Sequence, residues 1–77
     1  MIKILLFAQL QEEFGVKDIE INLMETTVSQ LKEILKANFK FPSLDHCMVA
    51  INEEYAMDFD TVQSGDTVAF IPPVSGG

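Results

Sequence analysis

A single stretch of the sequence, TTVSQLKEILKANF, carries apolar residues at helical spacing, and it lies among segments of strand length. Its apolar positions recur at intervals of about three or four residues. They are Val28, Leu31, Ile34, Leu35 and Phe39. Thr27 and Gln30 match a capping box, so we expect a helix over residues 28–39. Glu33, Lys32 and Lys36 are expected on its solvated side. One helix among strands favours a sheet with that helix packed across it.

Strand-like segments lie on both sides of the predicted helix. Residues 2–7 (IKILLF) are almost uniformly apolar, which predicts a central strand covered on both faces. Residues 17–23 (KDIEINL) alternate apolar and polar side chains, which predicts a strand with one solvated face. The remaining predicted elements are a helical turn at 9–14, strands at 47–51, 55–56 and 67–71, and turns at 52–54 and 62–66. Gly65 is expected at positive φ in the last turn.

The resulting order, β-β-α-β-β-β, predicts an α+β fold with one mixed five-stranded sheet and one main helix packed across it. This is the β-grasp arrangement of ubiquitin. In such a sheet the first and last strands lie side by side and parallel, which agrees with the apolar character of both. We expect residues 1–71 to form this ubiquitin-like domain and residues 72–77 to form an extended, flexible C-terminal Gly-Gly tail.

Charge and length limit the possible partners. Twelve Asp and Glu against five Lys and no Arg give a net charge of −7, which disfavours binding to nucleic acid or to an anionic membrane surface. The N-terminal segment MIKILLFAQL is too short to span a membrane and has no small-residue cleavage site, so it is predicted to be a strand. We therefore expect a cytoplasmic protein. Its acidic charge suits a basic protein partner, and the open alternative is that the charge only keeps a small protein soluble.

The side chains of the domain offer little catalytic chemistry. Cys47 is the only cysteine, lies in an apolar run and is predicted to be a core residue, and His46 is the only histidine. A structural zinc site, a catalytic triad and a four-cysteine iron–sulfur site of the plant-ferredoxin type all need more Cys or His residues than these. We expect a domain that is not an enzyme on its own and that binds no metal or cofactor.

The C-terminal run AFIPPVSGG predicts an extended tail that has a function of its own. Pro72 and Pro73 fix two φ angles, so the chain should leave the last strand extended. Gly76 and Gly77 have no side chains, so the chain end is narrow enough for a tight channel in another protein. The terminal carboxylate is unreactive towards acyl transfer until it is activated, for example by adenylation, and glycine leaves its carbonyl uncrowded.

Three segments give the chain a family resemblance. They are residues 68–77 (VAFIPPVSGG), residues 2–8 (IKILLFA), and Gly65 with Asp66 before the last strand. With these segments the whole chain resembles the family of molybdopterin synthase small subunits (the MoaD family), which are ubiquitin-like sulfur carriers. The tail motif is the most specific of the three.

The resemblance implies a role in molybdenum cofactor biosynthesis. In this family an E1-like enzyme uses ATP to adenylate the terminal glycine, here Gly77, which then becomes a thiocarboxylate. The tail enters the large synthase subunit and donates sulfur to cyclic pyranopterin monophosphate, and two such transfers form the dithiolene of molybdopterin. The resemblance also implies a heterotetramer, with two small subunits at opposite ends of a large-subunit dimer.

The resemblance further implies an apolar patch that both partners cover. Ile71 and Tyr55 fall on patch positions and Gln11 falls at its rim. The family often has an aromatic residue at position 71 and a basic residue at position 11, so this chain differs at both. Phe7 and Phe70 are expected in the core or on a sheet face, with one of them a candidate for the patch. The tail residues predicted to contact the partner are Pro72, Pro73, Val74 and Ser75.

Three other functions are compatible with the sequence. The thiamine-pathway sulfur carrier shares the fold and the Gly-Gly end, but it is usually shorter and lacks the Pro-Pro-Val before Ser-Gly-Gly. A ubiquitin-like protein modifier would be joined through Gly77 to lysines. A plain β-grasp binding module would keep its activity after deletion of Gly77, whereas the carriers and the modifier would lose theirs.

Overall fold

A mixed five-stranded sheet and a twelve-residue helix share one core in the computed structural model, which describes residues 1–7, 9–39, 44 and 46–72. The elements, in chain order, are β1 (Ile2–Leu6), α1 (Gln9–Phe14), β2 (Asp18–Ile21), β3 (Glu25–Thr27), α2 (Val28–Phe39), β4 (Met48–Ile51), β5 (Glu54–Ala56), β6 (Thr61–Gln63) and β7 (Thr67–Ile71). The predicted α+β, ubiquitin-like β-grasp class is confirmed.

The sheet has the strand order β2-β1-β7-β4-β5. β1 and β7 are parallel neighbours, with Ile4 beside Val68 and Leu6 beside Phe70, as predicted for the first and last strands. The other three ladders of this sheet are antiparallel. β7, the last strand of the domain, therefore lies in the middle of the sheet with a paired strand on each side. The chain leaves the domain from the C-terminal end of this central strand.

The core lies between α2 and one face of this sheet. Alternate residues of the central strands point into it, because successive side chains of a strand face opposite sides. The largest fully buried side chains are Ile2, Ile4, Leu6, Leu10, Val28, Leu31, Leu35, Leu44, Val62, Val68 and Phe70. Cys47 belongs to the same cluster, so its predicted role as a small core residue is confirmed.

The prediction that β1 is covered on both faces is wrong. Lys3 is exposed, Leu5 is half-buried and Phe7, just after the strand, is exposed. These residues alternate with the buried ones, so β1 has one core face and one outer face. The strand is also shorter than predicted, and β2 and β4 are each trimmed at one or both ends relative to residues 17–23 and 47–51.

A second, two-stranded sheet was not predicted. β3 and β6 pair antiparallel, with Thr26 opposite the buried Val62. The predicted turn at 62–66 is correspondingly reduced to Ser64 and Gly65, where Gly65 has the expected positive φ of 95°. This small sheet places the start of α2 next to the chain that follows β5.

Helix α2 begins and ends at the predicted residues, and its N-terminus is capped from two sides. The backbone N–H of Gln30 donates to Thr27 Oγ1 at 3.2 Å, which is one half of the predicted capping box. The Gln30 side chain does not complete the box, because its Oε1 accepts a hydrogen bond from the Thr26 hydroxyl at 3.2 Å. The carbonyls of Asp60 and Asp58 accept from the N–H groups of Val28 and Ser29 at 3.0 and 2.9 Å.

Lys32 is not on the solvated side of the helix as predicted. It is almost fully buried, and its ammonium lies 2.8 Å from Asp58 Oδ1. Lys36 and Glu33 form a more exposed pair at 3.6 Å, in agreement with the prediction for that side. The carboxylate of Asp58 supplies the ion-pair partner that a nearly buried ammonium needs.

Candidate functional site

The outer face of the sheet carries a continuous apolar surface. The strand register lines up Leu5 of β1, Ala69 of β7, Ala50 of β4 and Tyr55 of β5 across four neighbouring strands. Together with Phe7 and Ile71 they line a shallow concavity of about 570 Å³. We call these six residues the outer patch. Large exposed apolar surfaces on a small domain are typical of contact sites for other molecules.

The structure brings three predicted contact residues together in this outer patch. Tyr55 is 73% exposed, Phe7 is 42% exposed and Ile71 is half-buried at the end of β7. An exposed tyrosine and phenylalanine on a rigid sheet are the kind of residue that dominates protein interfaces. Of the two phenylalanines considered from the sequence, Phe7 lies in the outer patch and Phe70 is fully buried in the core.

Gln11 has a structural contact that the sequence did not reveal. Its side-chain Nε2 donates to the backbone carbonyl of Leu6 at 2.8 Å, across the junction between β1 and α1. The side chain is half-buried and does not line the concavity. It therefore fixes the chain immediately before Phe7, and a contact with a partner at this position stays a prediction.

Leu5, Ala50 and Ala69 belong to the outer patch, but the sequence analysis did not single them out. Leu5 lies two residues before Phe7, and Ala69 lies two residues before Ile71, so each pair faces the same side of its strand. That alternation was readable from the sequence. Ala50 required the register between β4 and β7, which places it opposite Ala69.

The rim of the outer patch is polar and fixed by hydrogen bonds. Asn52 donates from Nδ2 to Asp66 Oδ1 at 3.0 Å, and its Oδ1 accepts from the N–H of Thr67 at 3.0 Å. Asp66 Oδ2 also accepts from the N–H of Gln63 at 2.8 Å. These bonds lower the pKa of the Asp66 carboxyl, with the backbone bond from Gln63 as the larger cause. The network clamps the β4–β5 turn to the start of β7.

The tail begins at the edge of this site. Pro72 directly follows Ile71 and is buried, and β7 ends before it as predicted for a residue that cannot donate to a sheet ladder. The predicted contact residues Pro73, Val74 and Ser75 and the predicted reactive end, Gly76 and Gly77, lie outside the described residues. Their roles therefore stay predictions, and the structure fixes only the point from which they start.

The described residues contain no cluster suited to a metal ion and no helix suited to cross a membrane. Among residues 1–7, 9–39, 44 and 46–72, no group of three or more His, Cys, Asp or Glu side chains could hold a metal ion. His46 is exposed, and burial raises the pKa of the Cys47 thiol. Within the same residues, the longest helix is α2, and neither helix has the length and apolar character needed to cross a membrane.

Comparison with known proteins supports the family resemblance. The model of the ThiS family matches residues 4–77. A molybdopterin synthase sulfur carrier subunit from Arabidopsis thaliana is 44% identical over 82 residues, covering 99% of this chain and 82% of the relative. The match therefore extends over nearly the whole chain.

Solved structures reproduce the fold. SAMP1 from Haloferax volcanii superimposes with a TM-score of 0.85 at 28% identity, covering 99% of this chain and 98% of that one. A chain in a protein–protein complex of subunits 1 and 2 of the molybdopterin-converting factor from Helicobacter pylori 26695 has a TM-score of 0.71 at 20% identity, covering 99% and 97%. At that identity the second likeness shows the fold alone.

Proposed function

This chain belongs to the ThiS family, and we propose that it is the sulfur-carrier subunit of a molybdopterin synthase. The observation that carries the proposal is the 44% identity with a sulfur carrier subunit of that enzyme over 99% of the chain. The outer patch agrees with such a role, because a carrier must dock on its partners reversibly while it presents its C-terminus.

We propose that the reactive group is the carboxylate of Gly77. An E1-like enzyme joins it to AMP, with release of pyrophosphate from ATP, and a sulfur nucleophile then displaces AMP to leave a thiocarboxylate. The thiocarboxylate is ionised near neutral pH, and its sulfur is soft and nucleophilic. In the large subunit its sulfur forms a bond to a carbon of cyclic pyranopterin monophosphate. Water then cleaves the bond between that sulfur and the Gly77 carbonyl, which regenerates the carboxylate, and two such transfers complete the dithiolene. In this scheme ATP and the pterin are bound by the partners, and the small subunit supplies sulfur without catalysing the reaction alone.

The position of the outer patch relative to the tail supports this scheme. Ile71 closes β7, and Pro72 follows it directly, so a partner that covers Ile71 is placed beside the first residue of the tail. Pro72 and Pro73 restrict the direction in which the chain can leave the sheet. Docking on the outer patch would therefore also direct the tail towards the partner. The tail would then lose little conformational entropy when it enters the partner's active site.

The large subunit is the proposed partner for this surface. The Helicobacter pylori complex of subunits 1 and 2 contains a chain of the same fold, which makes an equivalent pairing reasonable here. We propose a heterotetramer in which two copies of this chain occupy opposite ends of a large-subunit dimer. The net charge of −7 suits a large subunit whose pterin-binding region is basic.

A protein modifier is the second candidate function. The observation that favours it is a second solved structure from Haloferax volcanii, small archaeal modifier protein 1, which has a TM-score of 0.81 at 25% identity. SAMP1 from the same organism has the TM-score of 0.85 given above. A modifier would use the same activated Gly77 but would transfer it to a lysine. The thiamine-pathway carrier would form the same thiocarboxylate and give its sulfur to a different acceptor.

The decisive experiment is the intact mass of the chain after incubation with its E1-like enzyme, ATP and a sulfur source. Replacement of one oxygen by sulfur adds about 16 Da, and we expect this gain to disappear when the large subunit and cyclic pyranopterin monophosphate are added. A chain that lacks Gly77 is the control and should gain no mass. A covalent lysine conjugate in place of the gain would favour the modifier, and no change with a demonstrably active enzyme would refute all carrier functions.

A further inference from the structure

A second apolar surface lies along the free edge of the sheet, where β5 continues into the loop of residues 57–60. Two large apolar side chains of this loop are exposed, Phe59 by 79% and Met57 by 64%. A groove of about 530 Å³ runs beside them. The surface residues that define this edge groove are Met48, Tyr55, Ala56, Met57, Asp58 and Phe59. It shares only Tyr55 with the outer patch.

The loop that presents Met57 and Phe59 is held at several points. The N–H of Met57 donates to Asp60 Oδ2 at 2.8 Å, and the N–H of Asp60 donates back to the Met57 carbonyl at 3.0 Å. The carbonyls of Asp58 and Asp60 cap the N-terminus of α2, and Asp58 also pairs with Lys32. Two large apolar side chains are thus held in water on an ordered loop, so a partner would not need to order that loop on binding.

Among the residues that the structure describes, no strand pairs with β5 on the side away from β4. The turn residues Asn52 and Glu53 both have positive φ, at 50° and 72°, which is the signature of a two-residue hairpin turn. Such a turn makes Ile51 and Glu54 a hydrogen-bonded pair, and Tyr55 then falls at a position whose N–H and C=O point outward. β5 is the last described strand in the sheet order, so those two groups face the open edge of the sheet, and Tyr55 also lines the edge groove.

The charged side chains around the edge groove indicate which kind of partner could bind there. Glu53, Glu54 and Asp58 are exposed there, and Asp60 is half-buried. The lysine that lines the groove, Lys32, is already paired with Asp58. The described charged side chains at this edge are therefore mainly acidic. A second copy of this chain, with its own net charge of −7, would be repelled, whereas a Lys- or Arg-bearing segment would be attracted.

We propose that the edge groove binds an extended segment of a partner protein, which joins β5 as an additional strand. The segment has apolar side chains at alternate positions, which cover Met57 and Phe59, and Lys or Arg residues between them, which meet the acidic rim. Its backbone pairs with the N–H and C=O of Tyr55. The proposal does not depend on the sulfur-carrier function, because it uses neither the tail nor Gly77.

An NMR titration of the isotope-labelled full chain tests the proposal. The probe is a capped peptide of about seven alternating Lys and Val residues, long enough for one strand. We expect shift changes concentrated in residues 54–59 and slower amide exchange at Tyr55. Phe59→Ser should weaken binding by about tenfold, the usual effect of truncating a central interface residue. Met24→Ser is the matched control, because Met24 is 82% exposed elsewhere on the surface and should leave the affinity unchanged.

Several outcomes would overturn the proposal. They are an absence of binding, shifts centred on the outer patch, equal binding of a Glu–Val peptide, or equal weakening by Met24→Ser. Met57→Ser provides a second variant, and the spectra themselves report whether each variant is folded. Sedimentation of the chain without peptide tests the other occupant: a dimer that Phe59→Ser dissociates would assign the edge groove to self-association and refute the basic partner.

Discussion

The ammonium of Lys32 lies 2.8 Å from a carboxylate oxygen of Asp58 and ties the middle of α2 to the loop that follows β5. The Lys32 side chain is 11% exposed and that of Asp58 is 68% exposed. The two partners therefore differ in what their removal leaves behind. Without Asp58 a nearly buried ammonium loses its carboxylate, whereas without Lys32 a carboxylate stays in water.

Asp58→Ala should destabilise the fold more than Lys32→Met does. We expect a loss of about 1 kcal/mol for Asp58→Ala, a small figure because solvent screens the exposed carboxylate. Lys32→Met keeps the packing of the aliphatic stem and removes the charge that needed a partner. Urea unfolding of both variants and of the double variant measures the difference. A loss of stability for Lys32→Met as large as that for Asp58→Ala would contradict this expectation, and the double variant gives the coupling energy of the pair.

Titration of the Asp66 carboxyl should make the free energy of unfolding depend on pH in the acid range. Its pKa is lowered in the folded chain, so the stabilisation is fully present above the ordinary carboxyl range near pH 4 and is lost as the pH falls through the lowered folded value. Asp66→Asn cannot titrate and serves as the reference. The stability difference between wild type and Asp66→Asn, measured by thermal unfolding, should shrink between about pH 5 and pH 2. A constant difference over that range would contradict the assignment.

The Cys47 thiol should react slowly with disulfide reagents in the folded chain. Its side chain is buried in the core and its pKa is raised chiefly by burial, so both access and thiolate fraction are reduced. We expect reaction with a chromogenic disulfide reagent at pH 8 to be at least about tenfold slower than in the same chain unfolded in guanidinium. Equal rates would mean that the region around Cys47 opens readily.

The elements that the sequence predicted well are those with a long hydrophobic pattern. Helix α2 has five apolar residues that fit the helical period over its whole length. Its first and last residues were both predicted correctly. The strands β3 and β6 have three residues each and present a single buried apolar side chain, Val62, between polar neighbours. A period cannot be detected in so short a segment, so no strand was predicted at residues 25–27, and residues 62–66 were predicted as a turn.

Long-range pairing explains the remaining differences. Lys32 looked solvated because lysine normally is, and its partner Asp58 is 26 residues away in the sequence. The outer patch was predicted only in part for the same reason. Tyr55 and Ile71 came from family resemblance, whereas Ala50 entered through the register of β4 with β7. The sequence shows which side chains share a strand face, but not the register that places residues of two strands opposite each other.

Changes in the outer patch should weaken binding to the large subunit. Ile71→Glu would place a charge in the proposed interface, and we expect a loss of at least about tenfold in affinity by calorimetry. Tyr55→Ser should act in the same direction without disturbing the core, because the Tyr55 side chain is largely exposed. Met24→Glu is the control for an added charge at an exposed apolar position elsewhere. Unchanged affinity for both patch variants would remove the outer patch from the interface.

Changes at the chain end should abolish sulfur transfer and leave partner binding largely intact. Gly77→Ala, or one residue added after Gly77, alters the carbonyl that is to be activated, and Gly76→Phe would block a narrow channel. The domain should unfold at the same urea concentration in all three variants, because the changes lie beyond the last strand, β7 (Thr67–Ile71). The measurement is dithiolene formation in a reconstituted synthase, with calorimetric binding to the large subunit as the control. Dithiolene formed at the normal rate by these variants would refute the proposed role of the tail.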